Sequence, residues 1–154
     1  MKTKISSLIA TICLLSAGAC LAADSWMGTW KLNESKSTLA PGMGKNPTVV
    51  YQADGRKTKV IVDGIDKDGK ATHNEWTGKF NGKDYAVTGD PMSDMRSYRK
   101  VDERTLEITT KKGGKVMSTG QIQVSADGKS RTVTISGTDA KGKNFKTMAV
   151  YDKQ

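Results

Sequence analysis

Very few side chains in this sequence of 154 residues could take part in chemistry. His73 is the only histidine, so a Ser-His-Asp or Cys-His mechanism would have to run through that one residue. The two cysteines, Cys13 and Cys20, lie in an N-terminal segment that we expect to be removed, which leaves no zinc site of histidines and cysteines. Residues 41–45 contain two glycines but lack the spacing and context of a phosphate-binding loop. We therefore expect no enzymatic activity, no metal and no cofactor.

The first 23 residues have the pattern of a secretory signal peptide. Lys2 and Lys4 precede an apolar run over residues 5–19, and small residues follow it. The run is too short to span a membrane comfortably, and no later stretch could cross a bilayer. Cleavage after Ala22 or Ala23 would leave residues 24–154 as a periplasmic or secreted barrel domain. The alternative is cleavage before Cys20 in a lipoprotein-like box, which would anchor the protein by a lipid.

The remaining chain has the composition of a β protein. From Asp24 onward it contains 15 threonines and ten valines but only three leucines and seven alanines. Residues that favour strands therefore outnumber the good helix formers. Without Lys2 and Lys4 the chain has 23 basic and 16 acidic residues, a net charge of +7.

Turn signals recur about every 8–12 residues, which is the spacing of an all-β sandwich or barrel. Asp-Gly and Asn-Gly pairs, as at 54–55 and 81–82, supply the positive φ that tight hairpin turns need. Between the turns we predict ten strands, at 27–33, 47–54, 57–65, 70–80, 84–89, 95–101, 105–111, 115–124, 131–139 and 143–152. Short links make consecutive strands antiparallel neighbours, and an up-and-down order avoids exposed edges by closing into a single barrel.

The long connection over residues 34–46 is predicted to hold at most a short helical turn. Asn33 or Ser35 could cap that turn, and Pro41 would end it. A plain irregular loop is the alternative.

Alternation along the strands assigns side chains to the two faces of the wall. Trp76 and Phe80 share the inner face of the fourth predicted strand, whereas His73 lies on its polar outer face without an evident partner. Val133 and Ile135 face inward on the ninth predicted strand. Large aliphatic side chains are too few to fill a wide barrel, so polar side chains and water line it or another molecule occupies it.

Residues 28–33 read Gly-Thr-Trp-Lys-Leu-Asn, and this opening resembles the calycin superfamily of lipocalins and fatty-acid-binding proteins. The chain is most similar to small exported bacterial lipocalin-like proteins of unassigned function, which share this opening and the closing residues 150–153. The resemblance implies a lipocalin-like barrel in which Trp30 plugs the closed end and a basic residue packs over its ring. The candidates for that basic residue are Arg99, Lys146 and Lys153.

The resemblance also points to candidate ligand contacts. The fatty-acid-binding branch holds a carboxylate with an Arg-x-Tyr on the last strand, where this chain keeps Tyr151 but not the arginine. An Arg-x-Tyr occurs instead at Arg96 and Tyr98, and it would hold an anionic group if both residues turn inward. The alternative is an exposed basic edge over residues 96–100. Inward positions give the full candidate set, with Arg96 as its only charged member: Trp76, Phe80, Tyr85, Arg96, Tyr98 and Tyr151.

These observations favour an exported, monomeric barrel that binds a small apolar or amphipathic molecule in its interior and is not an enzyme. One alternative is a surface binder of polyanions such as lipopolysaccharide or anionic glycans, favoured by the charge and by basic runs at 96–100 and 111–115. The others are a structural domain without a ligand and an enzyme with a buried Tyr–Arg or Asp pair. Nucleic acid is a poor partner, because the chain shows no stacked exposed aromatic residues.

Overall fold

The structure is a computed structural model that describes residues 24–139 and 141–154. The predicted signal peptide, with Cys13 and Cys20, lies outside the described residues.

Ten antiparallel strands form a closed wall in which every strand pairs with its neighbours in sequence and β1 pairs with β10. The strands are β1 (Gly28–Leu32), β2 (Lys45–Asp54), β3 (Lys57–Ile65), β4 (Ala71–Gly78), β5 (Tyr85–Thr88), β6 (Met95–Lys100), β7 (Thr105–Lys112), β8 (Lys115–Val124), β9 (Ser130–Thr138) and β10 (Asn144–Lys153). The predicted up-and-down barrel is confirmed, and each predicted strand boundary lies within two residues of the observed one.

Tight turns between the strands depend on glycine. Gly55 in the β2–β3 turn and Gly128 in the β8–β9 turn have φ values of +57° and +70°, a region that other residues rarely adopt. The strands that these turns join therefore pair directly with each other.

The long β1–β2 connection contains a single 3₁₀ turn, Glu34–Lys36. Asn33 caps it, because its side chain accepts a hydrogen bond from the backbone N–H of Lys36 at 3.3 Å. Beyond the turn, Thr38 forms an isolated bridge with Met148 of β10. The predicted cap and short helical turn are confirmed at Asn33.

The interior is densely packed at one end of the barrel, which we call the closed end. Trp26, Trp30, Leu106 and Val124 are all at most 1% exposed there. The indole N–H of Trp30 donates to the carbonyl of Trp26 at 2.9 Å, which ties the start of the described chain to the first strand. The opposite end, which we call the open end, is framed by residues 33–44, 66–70, 89–94, 113–114, 139 and 141–143.

Two basic residues pack over the Trp30 ring. The Arg131 guanidinium lies 4.8 Å from the ring centroid, and the Lys153 ammonium lies 5.2 Å from it. Of the predicted candidates Lys153 is confirmed, whereas Arg99 and Lys146 are wrong. Arg99 forms an ion pair with Glu107, and Lys146 is exposed.

We expect Trp30→Ala to lower the free energy of unfolding by about 3–5 kcal/mol, because it removes a fully buried aromatic ring. Lys31→Ala, one position along on the exposed outer face, is the matched control and should change it by less than about 0.5 kcal/mol. Urea unfolding followed by circular dichroism measures both. Equal midpoints for the two variants would show that the barrel does not depend on this ring.

Candidate ligand site in the barrel interior

All six predicted ligand contacts lie on the inner side of the wall. Trp76, Arg96, Tyr98 and Tyr151 are buried, and Phe80 and Tyr85 are half-buried against the core. Their inward orientation follows from the two-residue alternation of β4, β5, β6 and β10. Whether these residues contact a ligand stays a prediction.

Four of the six form an aromatic cluster around Trp76. The Trp76 ring lies 4.7 Å from the Tyr98 ring, 5.7 Å from that of Tyr85 and 6.2 Å from that of Phe80, measured between centroids. Gly78 allows this packing, since a Cβ there would come within 2.5 Å of the Trp76 ring. The indole N–H of Trp76 donates to the Arg96 carbonyl at 2.8 Å. These rings are therefore packed against each other as part of the core.

Arg96 is buried and paired with an acid. Its Nη2 donates to Asp90 Oδ2 at 3.0 Å and to Asn74 Oδ1 at 3.2 Å. The same Asp90 oxygen accepts a hydrogen bond from Ser93 Oγ at 2.6 Å. Burial by itself would lower the pKa of Arg96, but the neighbouring Tyr98 and Asp90 outweigh that effect and raise the pKa. Arg96 is the only charged member of the candidate set, but Asp90, which the prediction did not include, shares its site.

The exposed basic edge predicted over residues 96–100 is also wrong as a continuous surface. Arg96 and Tyr98 turn inward, and the two outward residues are offset by acids. Arg99 pairs with Glu107, and Lys100 pairs with Glu103 at 3.1 Å.

A second arginine, Arg131 of β9, is enclosed by aromatic rings near the closed end. Its guanidinium carbon lies 4.8 Å from the ring centroids of Trp30 and Tyr51 and 4.9 Å from that of Tyr151. Arg131 is 2% exposed, and among the described residues its Nε and Nη1 have no hydrogen-bond partner. The ring faces therefore stabilise this buried cation.

Sequence reasoning missed both Arg131 and Tyr51. The signal for Arg131 was its spacing of two residues from the inward Val133, which places it on the same face. Tyr51 alternates in the same way with the buried Val49 on β2. Each was overlooked because a charged or polar side chain is the usual occupant of an outer position.

Tyr51 remains a neutral phenol at ordinary pH. Burial raises its pKa well above the usual value, the neighbouring Tyr98 adds to the rise, and Arg131 opposes it. Burial likewise raises the pKa of Tyr151. These hydroxyls can donate hydrogen bonds, but none of them is a base near neutral pH.

The open half of the interior is lined differently from the closed half. Ile108, Ile135 and Phe145 face inward but remain half-buried. Strand register places Arg96, Thr110, Ser118 and Gly137 next to one another on the inner face of β6–β9. The Thr110 and Ser118 hydroxyls lie 2.7 Å apart. This half therefore combines an apolar wall with a short polar strip.

A depression of about 540 Å³ opens at the same end of the barrel. It lies between the β3–β4 turn and the β5–β6 loop and is lined by Asp66, Lys70, Thr72, His73, Gly89 and Asp90, among others. β4 and β5 are joined there by the residue pairs Glu75–Thr88 and Trp76–Val87, so the two strands diverge above them. Asp90, which lines the depression, also holds Arg96 of the polar strip.

His73 lies on the outer face of β4 and is exposed, as predicted. The expectation that it has no partner is wrong. Its Nδ1 lies 2.7 Å from Asp63 Oδ1, and its Nε2 lies 3.4 Å from Glu75 Oε1. The hydrogen bond to Asp63, followed by that to Glu75, raises the pKa of His73 above its usual value. His73 thus belongs to a surface network of charges.

No metal cluster is evident within residues 24–139 and 141–154, where no three His, Cys, Asp or Glu side chains converge as ligands. No helix in that part of the chain is long and apolar enough to span a membrane.

Comparisons with known proteins identify the fold and go no further. No protein-family model and no curated protein matches the sequence. A solved structure of EF1p2_mFAP2b bound to DFHBI is similar, with a TM-score of 0.51 over 84% of this chain and 94% of that chain, at 10% sequence identity. The protein therefore has the fold of a closed up-and-down barrel of ten antiparallel strands, which is consistent with a fold like that of lipocalins or fatty-acid-binding proteins.

The buried ion pair of Arg96 and Asp90 gives a test of this site. Asp90→Asn removes the countercharge and should lower the free energy of unfolding by about 3–5 kcal/mol, because Arg96 is then buried without an acid. The double variant with Arg96→Met should recover much of that loss. Glu103→Gln, which breaks the exposed pair with Lys100, is the control and should cost less than about 1 kcal/mol. Stability of Asp90→Asn equal to that of the control would contradict the pairing.

Proposed function

We propose that this protein is an exported β-barrel that binds a small, partly apolar molecule in the open half of its interior, without catalysis. The observation that carries the proposal is the contrast between the two halves of the barrel. The most deeply buried inward side chains, such as Trp30, Leu106 and Val124, lie at the closed end, whereas the inward aliphatic residues Ile108 and Ile135, towards the open end, are half-buried. Protein interiors otherwise pack to high density, so half-buried inward side chains indicate room for a ligand.

The lining of the open half defines the ligand chemistry. Ile108, Ile135 and Phe145 offer contacts for an apolar body, and Thr110 and Ser118 offer hydroxyl groups for a polar end. An apolar pocket with a few convergent polar groups is the usual design of a small-molecule site. Because Asp90 offsets the charge of Arg96, a neutral hydrogen-bonding group suits the polar end as well as an anion does.

Arg131 has a structural role in this proposal. Three rings surround its guanidinium, so a ligand could reach it only by displacing part of the core. We therefore assign Arg131 and the buried aromatic cluster to stability, and the half-buried open half to binding.

Three further observations support this function. The barrel of similar fold, EF1p2_mFAP2b, is bound to the small molecule DFHBI. The Gly-x-Trp opening, with Arg131 and Lys153 packed over Trp30, supports membership among the small exported bacterial lipocalin-like proteins. The placement of His73 in a surface charge network supports a role other than catalysis.

Export rests on the N-terminal pattern of Lys2, Lys4 and the apolar run 5–19. We expect protein recovered from the periplasm or medium of a bacterial host to begin at Ala23 or Asp24, as determined by mass spectrometry of its N-terminal peptide. Protein that begins at a lipidated Cys20 would show membrane anchoring instead. Protein that retains Met1 would contradict export.

A larger side chain in the open half should weaken the binding of a small molecule there without unfolding the barrel. We expect Ile135→Trp to weaken the binding of the fluorescent probe anilinonaphthalene sulfonate by at least about tenfold, a change of about 1.4 kcal/mol, because the larger ring occupies the proposed cavity. Thr134→Trp adds the same ring to the outer face of the same strand and should leave probe affinity unchanged.

Native mass spectrometry of the protein from its own host should also show a bound molecule that Ile135→Trp lacks. Equal probe affinity in both tryptophan variants, with both folded by circular dichroism, would exclude the open half as the binding site.

A further inference from the structure

Two neighbouring hairpin turns at the open end carry a dense group of lysines. Because β8 pairs with β9, the β7–β8 turn and the β9–β10 turn lie side by side. The group, which we call the lysine rim, is exposed and consists of Lys112, Lys115, Lys141, Lys143 and Lys146.

The charge of the lysine rim is not offset locally. Lys112 and Lys115 are cross-strand partners, and like charges placed directly opposite each other destabilise a hairpin. In the part of the chain that the structure describes, no member of the rim forms an ion pair. Asp139, the acid of the β9–β10 turn, accepts the backbone N–H groups of Lys141 and Lys143.

Some basic residues on other parts of the wall are paired, although the exposed Lys57, Lys79, Lys83 and Lys129 at the closed end form no ion pair among the described residues either. Lys59 pairs with Glu75 at 2.9 Å, and Lys111, next to the rim, pairs with Asp84 at 2.7 Å. The basic run predicted at 111–115 is therefore divided. Lys111 is neutralised, whereas Lys112 and Lys115 project as part of the rim.

An exposed apolar residue accompanies the lysines. Val116, directly after Lys115, is 48% exposed at the start of β8. Cations beside an apolar side chain match the boundary of an anionic bilayer, where headgroup charge lies above the acyl chains. A soluble anionic polysaccharide would use the lysines but not Val116.

We propose that the lysine rim docks the open end of the barrel onto an anionic lipid surface. A basic residue near such a surface favours partition by about fivefold. The rim therefore provides substantial binding to an anionic lipid surface at low salt. Added salt shortens the Debye length and weakens this binding. This docking is independent of whether the barrel interior holds a ligand.

Vesicle binding with two charge-matched variants tests the proposal. The rim variant carries Lys112→Gln, Lys115→Gln, Lys141→Gln and Lys143→Gln, and the control carries Lys57→Gln, Lys79→Gln, Lys83→Gln and Lys129→Gln. The control lysines are also exposed but belong to turns at the closed end. Both variants and the unaltered protein are expressed as the full chain and recovered in the same processed form.

Each protein is mixed with vesicles of phosphatidylcholine, with and without phosphatidylglycerol, and partition is measured by sedimentation at low and raised salt. We expect the unaltered protein and the control to bind only vesicles that contain phosphatidylglycerol, and the rim variant to bind at least tenfold more weakly. A further variant, Val116→Ser, should weaken binding to vesicles while it leaves retention on heparin unchanged.

Three results would overturn the proposal. Equal losses in the rim and control variants would show that net charge alone drives binding. Binding to pure phosphatidylcholine would show that headgroup charge is not recognised. Vesicle binding that Val116→Ser leaves unchanged, together with tighter binding to heparin than to vesicles, would assign the rim to an anionic polysaccharide.

Discussion

Closure of the wall between β1 and β10 is the constraint on which the rest of the molecule depends. The register pairs Trp30 with Lys153 and Leu32 with Tyr151, so the first and last strands jointly position the side chains that plug the closed end. An up-and-down sheet of ten strands without this pairing would expose two edges. Closure therefore gives the backbone N–H and C=O groups at the two edges hydrogen-bond partners. It also encloses the buried space in which Trp30, Tyr51, Tyr151 and Arg131 meet.

The interior stabilises its two buried arginines in different ways. Arg96 has a carboxylate partner in Asp90, so the pair is close to neutral and can lie beside a ligand without demanding a particular charge. Arg131 has only ring faces around its guanidinium among the described residues, and those rings come from β1, β2 and β10. Removing a ring would take a stabilising contact from the buried Arg131 guanidinium. The side chains at this end of the barrel therefore contribute to the stability of the fold.

The charges of the outer face are arranged in two ways. Some form local pairs or small networks, such as His73 between Asp63 and Glu75. Exposed pairs of this kind contribute little to stability but keep the surface well hydrated. Other exposed lysines form no ion pair among the described residues, both at the closed end and in the lysine rim, where five of them belong to two neighbouring turns.

Local information in the chain was enough to determine the strands and their order. Period-two alternation, β-branched composition and glycines at the turns act over a few residues, so they specify where each strand begins, ends and turns back. The same alternation placed all six candidate residues inward. Contacts between side chains on different strands were decided only by the tertiary structure: the sequence predicted neither the pairing of Asp90 with Arg96 nor the burial of Arg131 among three rings. The choice of Lys153 over Arg99 and Lys146 depended on the β1–β10 register, which exists only once the barrel has closed. Burial of a charge is a collective property of the packed interior, and for that reason no short stretch of sequence encodes it.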